Sequence, residues 1–176
     1  FAGTNGNKKT NNRQQVSEEI RRIQDISERS HSRPAWVAPL RRKHYEMMDK
    51  YVGVLRTEEG LKLMLDEIER CNRDDLPNLT VRDKCRCYNF ELRDALEMHL
   101  RLSIESMSTR AALMRTESRG SHFRDDFPKR NDRQWLKNIV FYRDNDQIVS
   151  EIRDVEMPIM KIDELPAYAT MDSPWH

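Results

Sequence analysis

The residue types most able to do chemistry are concentrated in residues 117–126, where charged and hydroxyl-bearing side chains surround one glycine. The candidate site residues in this segment are Glu117, Arg119, Gly120, His122, Arg124 and Asp126. An arginine can hold a carboxylate through two parallel hydrogen bonds, so the two arginines favour carboxylate partners. Two interpretations fit the pattern: a polar surface that docks onto another domain, or a solvated helix terminus with local ion pairs.

Elsewhere the sequence lacks the usual patterns of catalysis and cofactor binding. Its five glycines include no Gly-x-Gly-x-x-Gly spacing, which would let backbone approach a dinucleotide pyrophosphate, and there is no Walker A loop. The histidines form no His-x-x-x-His pair, and no Gly-x-Ser-x-Gly nucleophile turn occurs. We therefore predict no catalytic, cofactor-binding or metal-binding residue in this chain.

The charge balance argues against a nucleic-acid partner. The sequence has 31 Lys and Arg against 30 Asp and Glu, interleaved along the chain, so its long-range field is weak. It also contains no run of about 18 apolar residues, which predicts no direct membrane insertion.

The three cysteines predict a reducing, cytoplasmic setting, because an odd number without a secretory signal does not build a disulfide framework. Cys85 and Cys87 are placed in a predicted helix, where side chains two residues apart point in different directions and cannot share a metal. We expect these thiols and Cys71 to be buried or half-buried.

Helical periodicity dominates the chain up to about residue 114. A first helix carries an apolar stripe and ends before Pro34. The stripe consists of Val16, Ile20, Ile23 and Ile26. A second helix begins near Pro39, and Gly53 is expected within it or at its end, where another helix approaches closely. Its apolar stripe consists of Leu40, His44, Met47, Met48, Tyr51, Val52 and Leu55.

Two further helices follow. Thr57 is the predicted N-cap of a third helix, with Glu58 and Glu59 in the first turn, where negative charge suits the helix dipole. A capping box at residues 80–83 predicts the start of a fourth helix that runs to about Met114 and spans about 50 Å. Its later part is rich in small residues, which either admit a close neighbour or are ordinary surface choices. Gly120 is expected to close this long helix in a left-handed conformation.

The remainder predicts a β-hairpin and an extended tail. Residues 139–142 are rich in β-formers, residues 144–146 form a turn, and apolar residues recur from Ile148 to Val155. The predicted fold class is all-α, a three- to four-helix bundle with a C-terminal β-hairpin and extended tail. The predicted domains are a linker from a missing flavin domain (1–15), the helical bundle domain (16–132), and the hairpin and tail (133–176).

Two sequence runs resemble a known family. RTESRGSHFRDDFPKRND at residues 115–132, followed by Trp-Leu-Lys at 135–137, is similar to a hallmark of the succinate dehydrogenase/fumarate reductase flavoproteins. YVGVLRTEEGL at residues 51–61 is similar to a second stretch of that family. The resemblance covers residues 40–169. The chain departs from the family pattern at Ser121, Asn131 and Asn138, where Ala, Asp and His are usual, which leaves the subfamily open.

The resemblance implies that this chain is the non-catalytic C-terminal helical domain of an FAD-dependent oxidoreductase. In the family, FAD exchanges hydride with a dicarboxylate, and electrons pass through an iron–sulfur subunit. The glycines that hold flavin and the residues that bind substrate belong to upstream domains, so FAD is implied for the parent enzyme and no cofactor for this chain. The alternatives are a stand-alone helical interaction module, or the equivalent domain of L-aspartate oxidase or adenylylsulfate reductase.

The partners implied by the resemblance are the FAD-binding domain of the same protein and the iron–sulfur subunit of the parent complex. They place the chain in the cytoplasm, at the inner face of the membrane through partner subunits. We expect the site segment to dock the helical domain onto the flavin domain. In the isolated domain its side chains would then be exposed, and Arg119→Ala would barely change stability.

Overall fold

The computed structural model describes residues 12–85, 87–145 and 147–156, which form five α-helices and six strands. The helices are α1 (Asn12–Glu28), α2 (Val37–Val52), α3 (Glu58–Arg70), α4 (Phe90–Met114) and α5 (Asp132–Trp135). The strands are β1 (Ala35–Trp36), β2 (Leu55–Arg56), β3 (Leu79–Thr80), β4 (Phe123–Arg124), β5 (Lys137–Asp144) and β6 (Gln147–Asp154). The predicted fold class, a helical bundle with a C-terminal β-hairpin, is confirmed.

The chain divides into two compact units. Unit 1 contains the described residues up to Arg42 together with Cys71–Arg101, and unit 2 contains Lys43–Arg70 together with the described residues from Leu102 onward. The domain boundaries that the sequence indicates, at residues 15 and 132, stay a prediction. Most of the predicted linker and the extended tail lie outside the described residues.

In unit 1, only the C-terminal end of the predicted α1 stripe is buried. Ile26 is 3% exposed, whereas Val16 and Ile20 of the same predicted stripe are more than half exposed. The Arg29 side chain donates to the backbone carbonyl of Pro77 at 2.8 Å, and the Thr80 hydroxyl donates to the carbonyl of Arg29 at 2.6 Å. These bonds fix α1 beside the parallel pair of β1 and β3, which the sequence did not reveal.

The predicted start of the fourth helix is wrong. Helix α4 begins at Phe90 and has 25 residues, so it spans about 37 Å. The Thr80 hydroxyl is engaged with the Arg29 carbonyl and does not cap a helix. The cap is Asn89, whose side-chain oxygen accepts from the backbone N–H of Leu92 at 2.8 Å. Tyr88 has a positive φ of 55°, a backbone conformation that a right-handed helix cannot include.

The cysteine predictions hold for one residue of three. Cys71 is buried, as expected. Cys85 and Cys87 are exposed and lie in the loop before α4, so the expectation of buried thiols on a helix is wrong for this pair. The loop is held by Asp83, whose carboxylate accepts from the backbone N–H of Cys85 at 2.8 Å.

Unit 2 contains α3 and the β-hairpin, both as predicted. The Thr57 hydroxyl accepts from the backbone N–H of Gly60 at 3.1 Å and so caps α3. The buried face of this helix consists of Gly60, Leu61, Met64 and Ile68. Strands β5 and β6 pair antiparallel from Lys137 opposite Asp154 to Asp144 opposite Gln147. A second parallel pair, β2 with β4, brings the two sequence runs together and was not predicted.

Gly53 follows the last residue of α2, in agreement with its predicted place. The predicted reason for a glycine is wrong, because no second helix causes the close approach. A Cβ atom on Gly53 would lie 2.3 Å from the backbone oxygen of Asp49, within the preceding turn of the same helix.

His44 lies in the interior of unit 2 and is fully buried. Its Nδ1 atom is 2.7 Å from a carboxylate oxygen of Glu105, and its Nε2 atom is 4.0 Å from Glu67. Hydrogen bonding from Arg70, supported by Lys43, lowers the pKa of Glu67 to about 2 in spite of partial burial. A histidine on a predicted apolar stripe is therefore accommodated by carboxylates from two other helices.

Candidate functional site

The candidate segment follows α4, which ends at Met114. Gly120 lies six residues beyond that end, so the expectation that it closes the helix is wrong. Gly120 and Ser121 instead form a tight turn, in which the backbones of Arg119 and His122 exchange two hydrogen bonds of 2.8 and 3.0 Å. A φ of +58° at Gly120, with no positive φ at Ser121, matches the turn type that favours glycine at its first central position.

Glu117 is the centre of a buried charge network and is fully buried. Its carboxylate accepts from Nη1 of Arg115 at 2.7 Å, from Nε and Nη2 of Arg119 at 2.7 and 3.1 Å, and from the backbone N–H of Asn131 at 2.7 Å. Burial alone would raise the pKa of Glu117, but these hydrogen bonds outweigh it and the pKa is lowered. The carboxylate is therefore ionised and has all its partners in unit 2.

Arg119 links Glu117 to a second carboxylate. Its Nη2 atom lies 2.5 Å from Asp132, which also accepts from Nε of Arg130 at 2.8 Å. Burial would raise the pKa of Asp132, yet the two arginines lower it. Asn131 also caps α5 through its side chain, which accepts from the backbone N–H of Gln134. The network thus fixes the start of the short helix that leads into the hairpin.

Arg124 supports the end of the long helix and is 1% exposed. Its Nη1 atom donates to the backbone carbonyls of Ala112 and Leu113 in the last turn of α4, and to that of Arg115, the residue after the helix. Its Nε and Nη2 atoms each lie 2.6 Å from one oxygen of Asp126. A guanidinium has five donors in a fixed plane, which suits this combination of carbonyls and carboxylate.

Asp126 links Arg124 to the first turn of α3. Its Oδ2 atom accepts from the backbone N–H of Glu58 at the start of that helix, at 3.0 Å. Hydrogen bonding from Arg124 and from this amide lowers the pKa of Asp126 against the effect of partial burial. Arg124 and Asp126 therefore join the C-terminal end of α4 to the N-terminal end of α3, where a negative charge also suits the helix dipole.

Several structural residues of this network were not among the sequence candidates. Ser118 accepts from the backbone N–H of Arg124 and donates to the carbonyl of Phe127. Arg115 donates to the carbonyls of Trp135 and Lys137 at 2.9 and 2.7 Å and ties the helix end to β5. The available signal was their position inside the run of residues 115–132 that carries the family resemblance.

The structure separates the six candidates into two groups. Glu117 and Arg124 are buried, so the expectation that the segment is exposed in this chain is wrong for both. Gly120 is exposed at the turn, Arg119 and Asp126 keep 28% and 29% of their side chains exposed, and His122 is half-buried. Among the described residues, no three His, Cys, Asp or Glu side chains come close enough together to hold a metal ion.

His122 lies beside a cleft of about 540 Å³ in unit 2. One part of its lining is polar and basic: Arg56, Arg115, Arg119, Ser121, His122 and Asn138. The rest is apolar or small: Met48, Val52, Ser108, Ala111, Ala112 and Ile139. The sequence suggested two reasons for the small residues late in α4. Three of them, Ser108, Ala111 and Ala112, line this cleft.

Together, the fold and the buried network define a helical structural domain that ends in a β-hairpin. The chain belongs to the family described as the fumarate reductase flavoprotein C-terminal domain, whose model matches residues 41–167. This domain is shared by the succinate dehydrogenase and fumarate reductase flavoproteins, which confirms the resemblance.

The chain is similar to several named proteins. It is 34% identical over 133 residues to the fumarate reductase flavoprotein subunit of Helicobacter pylori, which is 75% of this chain and 18% of that protein. It is 34% identical over 107 residues to the succinate dehydrogenase flavoprotein subunit of Coxiella burnetii, covering 61% of this chain and 18% of that protein. The chain therefore spans less than a fifth of the length of these relatives.

A solved structure of the Mycobacterium smegmatis Sdh1 complex has the same fold. The TM-score is 0.77 at 23% identity, over 93% of this chain and 28% of the other. None of the helices in the described ranges is both long and apolar enough to cross a membrane.

Proposed function

We propose that this chain is the non-catalytic C-terminal domain of a longer FAD-dependent oxidoreductase of the succinate/fumarate type. The observation that carries this proposal is the burial of Glu117, whose carboxylate accepts four hydrogen bonds from unit 2. A group engaged in this way has no free position for a substrate. The length of the relatives supports the proposal, because the part of their sequence that this chain does not cover is long enough for flavin and substrate domains.

The charged residues of the site segment act as supports for backbone in this proposal. Arg124 stabilises the end of α4, and Asp126 stabilises the start of α3. Glu117 and Arg119 hold the loop that leads to the hairpin. The domain thereby offers a preorganised surface to its neighbours in the parent protein.

The proposed neighbours are the FAD-binding domain of the same protein and the iron–sulfur subunit of the parent complex, at the cytoplasmic face of the membrane. The docking surface is formed by the candidates that are not fully buried, namely Arg119, Asp126 and the turn at Gly120 and His122. Interfaces between domains are commonly polar and of moderate size, which suits this part of the segment. We propose in addition the domain boundaries that the sequence indicates, at residues 15 and 132.

The test is to produce this chain separately from the flavin-binding remainder of the longer protein and then to mix the two. We expect this chain alone to remain colourless and to leave FAD fluorescence unchanged, and we expect it to bind the remainder and restore its oxidoreductase activity. Saturable binding of FAD by this chain alone at micromolar concentration would contradict the proposal. Failure to associate with the remainder would also contradict it.

A further inference from the structure

Two exposed thiols lie close together in the loop before α4. Cys85 and Cys87 are both exposed, whereas Cys71 is 0% exposed. The Sγ atom of Cys85 lies 3.5 Å from the backbone nitrogen of Cys87 and 3.5 Å from its carbonyl oxygen. The side chain of Cys85 therefore points along the backbone towards Cys87. The helical geometry that would separate the two thiols does not apply, because α4 begins only at Phe90.

The loop around Cys85 is held by hydrogen bonds to its backbone. The carboxylate of Asp83 accepts from the backbone N–H of Cys85 at 2.8 Å. The Asn89 side chain donates to the carbonyls of Asp83 and Cys85 at 2.7 and 2.8 Å, and its oxygen accepts from the N–H of Leu92. The asparagine that caps α4 therefore also fixes the position of Cys85. These bonds use backbone groups of Cys85, and the residue remains exposed.

The spacing of the two cysteines permits a disulfide between them. A disulfide requires Cα atoms that are about 4.4–6.8 Å apart. An extended chain advances at most about 3.6 Å per residue, so two Cα atoms separated by one residue are at most about 7 Å apart. Because Sγ of Cys85 already lies over the Cys87 backbone, the remaining approach is made by rotation of the Cys87 side chain. An exposed disulfide of this kind is readily reduced again.

We propose that Cys85 and Cys87 form a dithiol site that is oxidised reversibly to a disulfide by exchange with a low-molecular-weight disulfide such as oxidised glutathione. The thiolate of one cysteine attacks a sulfur of the small disulfide, breaks its S–S bond, releases one small thiolate and forms a mixed disulfide. The thiolate of the other cysteine then attacks the protein sulfur of the mixed disulfide and releases the second small thiolate. The protein loses two electrons and two protons, and the small disulfide gains them as two thiols.

The dithiol site does not depend on the proposed function, because it is built from this chain alone. In a reducing compartment, protein disulfides are usually transient and serve catalysis or redox sensing. A pair that passes between both states fits this use, whereas the buried Cys71 is not accessible to a small disulfide.

The first experiment equilibrates the full chain with mixtures of reduced and oxidised glutathione, stops exchange with acid and measures the mass of the chain. We expect an oxidised product that has lost two hydrogen atoms and carries no glutathione, with peptide mapping assigning the disulfide to Cys85 and Cys87. The ratio of oxidised to reduced chain should follow the concentration of oxidised glutathione divided by the square of that of reduced glutathione, because ring closure releases two thiols. Excess reduced glutathione should restore the dithiol.

The second experiment removes one thiol at a time. Cys85→Ser and Cys87→Ser each leave a single thiol of the pair, so the exchange stops at the mixed disulfide, and each variant should gain one glutathione per chain where the unchanged chain gains none. The matched control is Cys71→Ser, which should form the same disulfide as the unchanged chain. The proposal is overturned if the unchanged chain accumulates glutathione adducts as the single variants do, if the disulfide joins two chains, or if neither thiol reacts.

Discussion

Glu117 and Arg119 are only two residues apart, yet they form a two-point ion pair, with Nε and Nη2 of Arg119 at 2.7 and 3.1 Å from the two carboxylate oxygens of Glu117. The pair is enclosed by the loop that it supports. Asn131 donates its backbone N–H to the same carboxylate from the far end of that loop. The ion pair therefore fixes the path of the chain between α4 and the hairpin.

Glu117→Gln should strongly destabilise this chain. The substitution removes a fully buried charge that two partly buried arginines share, and breaking a buried pair costs about 3–5 kcal/mol. Equilibrium unfolding in urea measures the free energy, and Glu69→Gln is the matched control because Glu69 is an exposed residue of α3. Equal stability of the two variants would show that the Glu117 network is not structural.

Arg119→Ala should also destabilise the isolated chain, contrary to the expectation from sequence. Arg119 has 28% of its side chain exposed but partners two carboxylates that are 0% and 11% exposed, so the loss should be about 1–3 kcal/mol. The same unfolding assay compares it with Arg133→Ala, which removes an exposed arginine. If Arg119→Ala lowers the free energy of unfolding by less than Arg133→Ala does, the segment has no structural role in the isolated chain.

The sequence predicted much of the fold but little of the geometry of the site. Apolar spacing and the cap at Thr57 locate α2 and α3, and β-forming residues locate the hairpin. The start of α4 was misplaced because Thr80 has the residue type of a cap but bonds to Arg29, 51 residues away in the sequence. Residue types alone do not reveal such long-range partners.

The same limitation explains the site. The sequence predicts that the segment around Glu117 is exposed, because it contains many charged residues close together and such segments are usually solvated. Burial depends on Asn131 and on the pairing of β2 with β4, neither of which has a periodic signature. The partner of His122 is Arg56, 66 positions earlier in the sequence.

Arg124→Lys should destabilise the chain even though it conserves the charge. A lysine has a compact ammonium group and cannot reach both oxygens of Asp126 and the carbonyls at the end of α4 at once. We expect a loss of about 2–4 kcal/mol, since buried backbone carbonyls lose their donor. Circular dichroism during thermal unfolding measures it, with Arg133→Lys as the control. A melting temperature equal to that of the control would contradict the structural role of Arg124.

Gly53→Ala should destabilise more than Gly120→Ala. A Cβ at Gly53 would lie 2.3 Å from the Asp49 carbonyl oxygen, so the end of α2 must shift. At Gly120 no atom lies within 4 Å of the added Cβ, and only the left-handed φ of +58° resists it. That conformation costs about 1 kcal/mol for a non-glycine residue. Thermal unfolding of the two variants gives the order, and the reverse order would refute this account of Gly53.

The stability of the chain should fall between pH 5 and pH 2, partly through Glu67. Its pKa of about 2 in the folded chain is below the ordinary value of 4.5, so the ionised form stabilises the fold above pH 4.5 and this contribution is lost on acidification. The contribution is at most about 3 kcal/mol. Urea unfolding at several pH values should show a shallower loss in Glu67→Gln than in the unchanged chain. Identical pH profiles would contradict the assigned pKa.

The central claim, that the charged segment is the interior support of this domain, is tested most directly by amide hydrogen exchange in the isolated chain. The backbone N–H of Asn131 donates to Glu117 and that of Arg124 donates to Ser118, whereas Ser121 lies in the exposed turn. We predict that the Asn131 and Arg124 amides exchange only through large-scale unfolding, at least about a thousandfold slower than Ser121. Exchange of all three amides at similar, unprotected rates would show that the segment is a solvated loop and would contradict the claim.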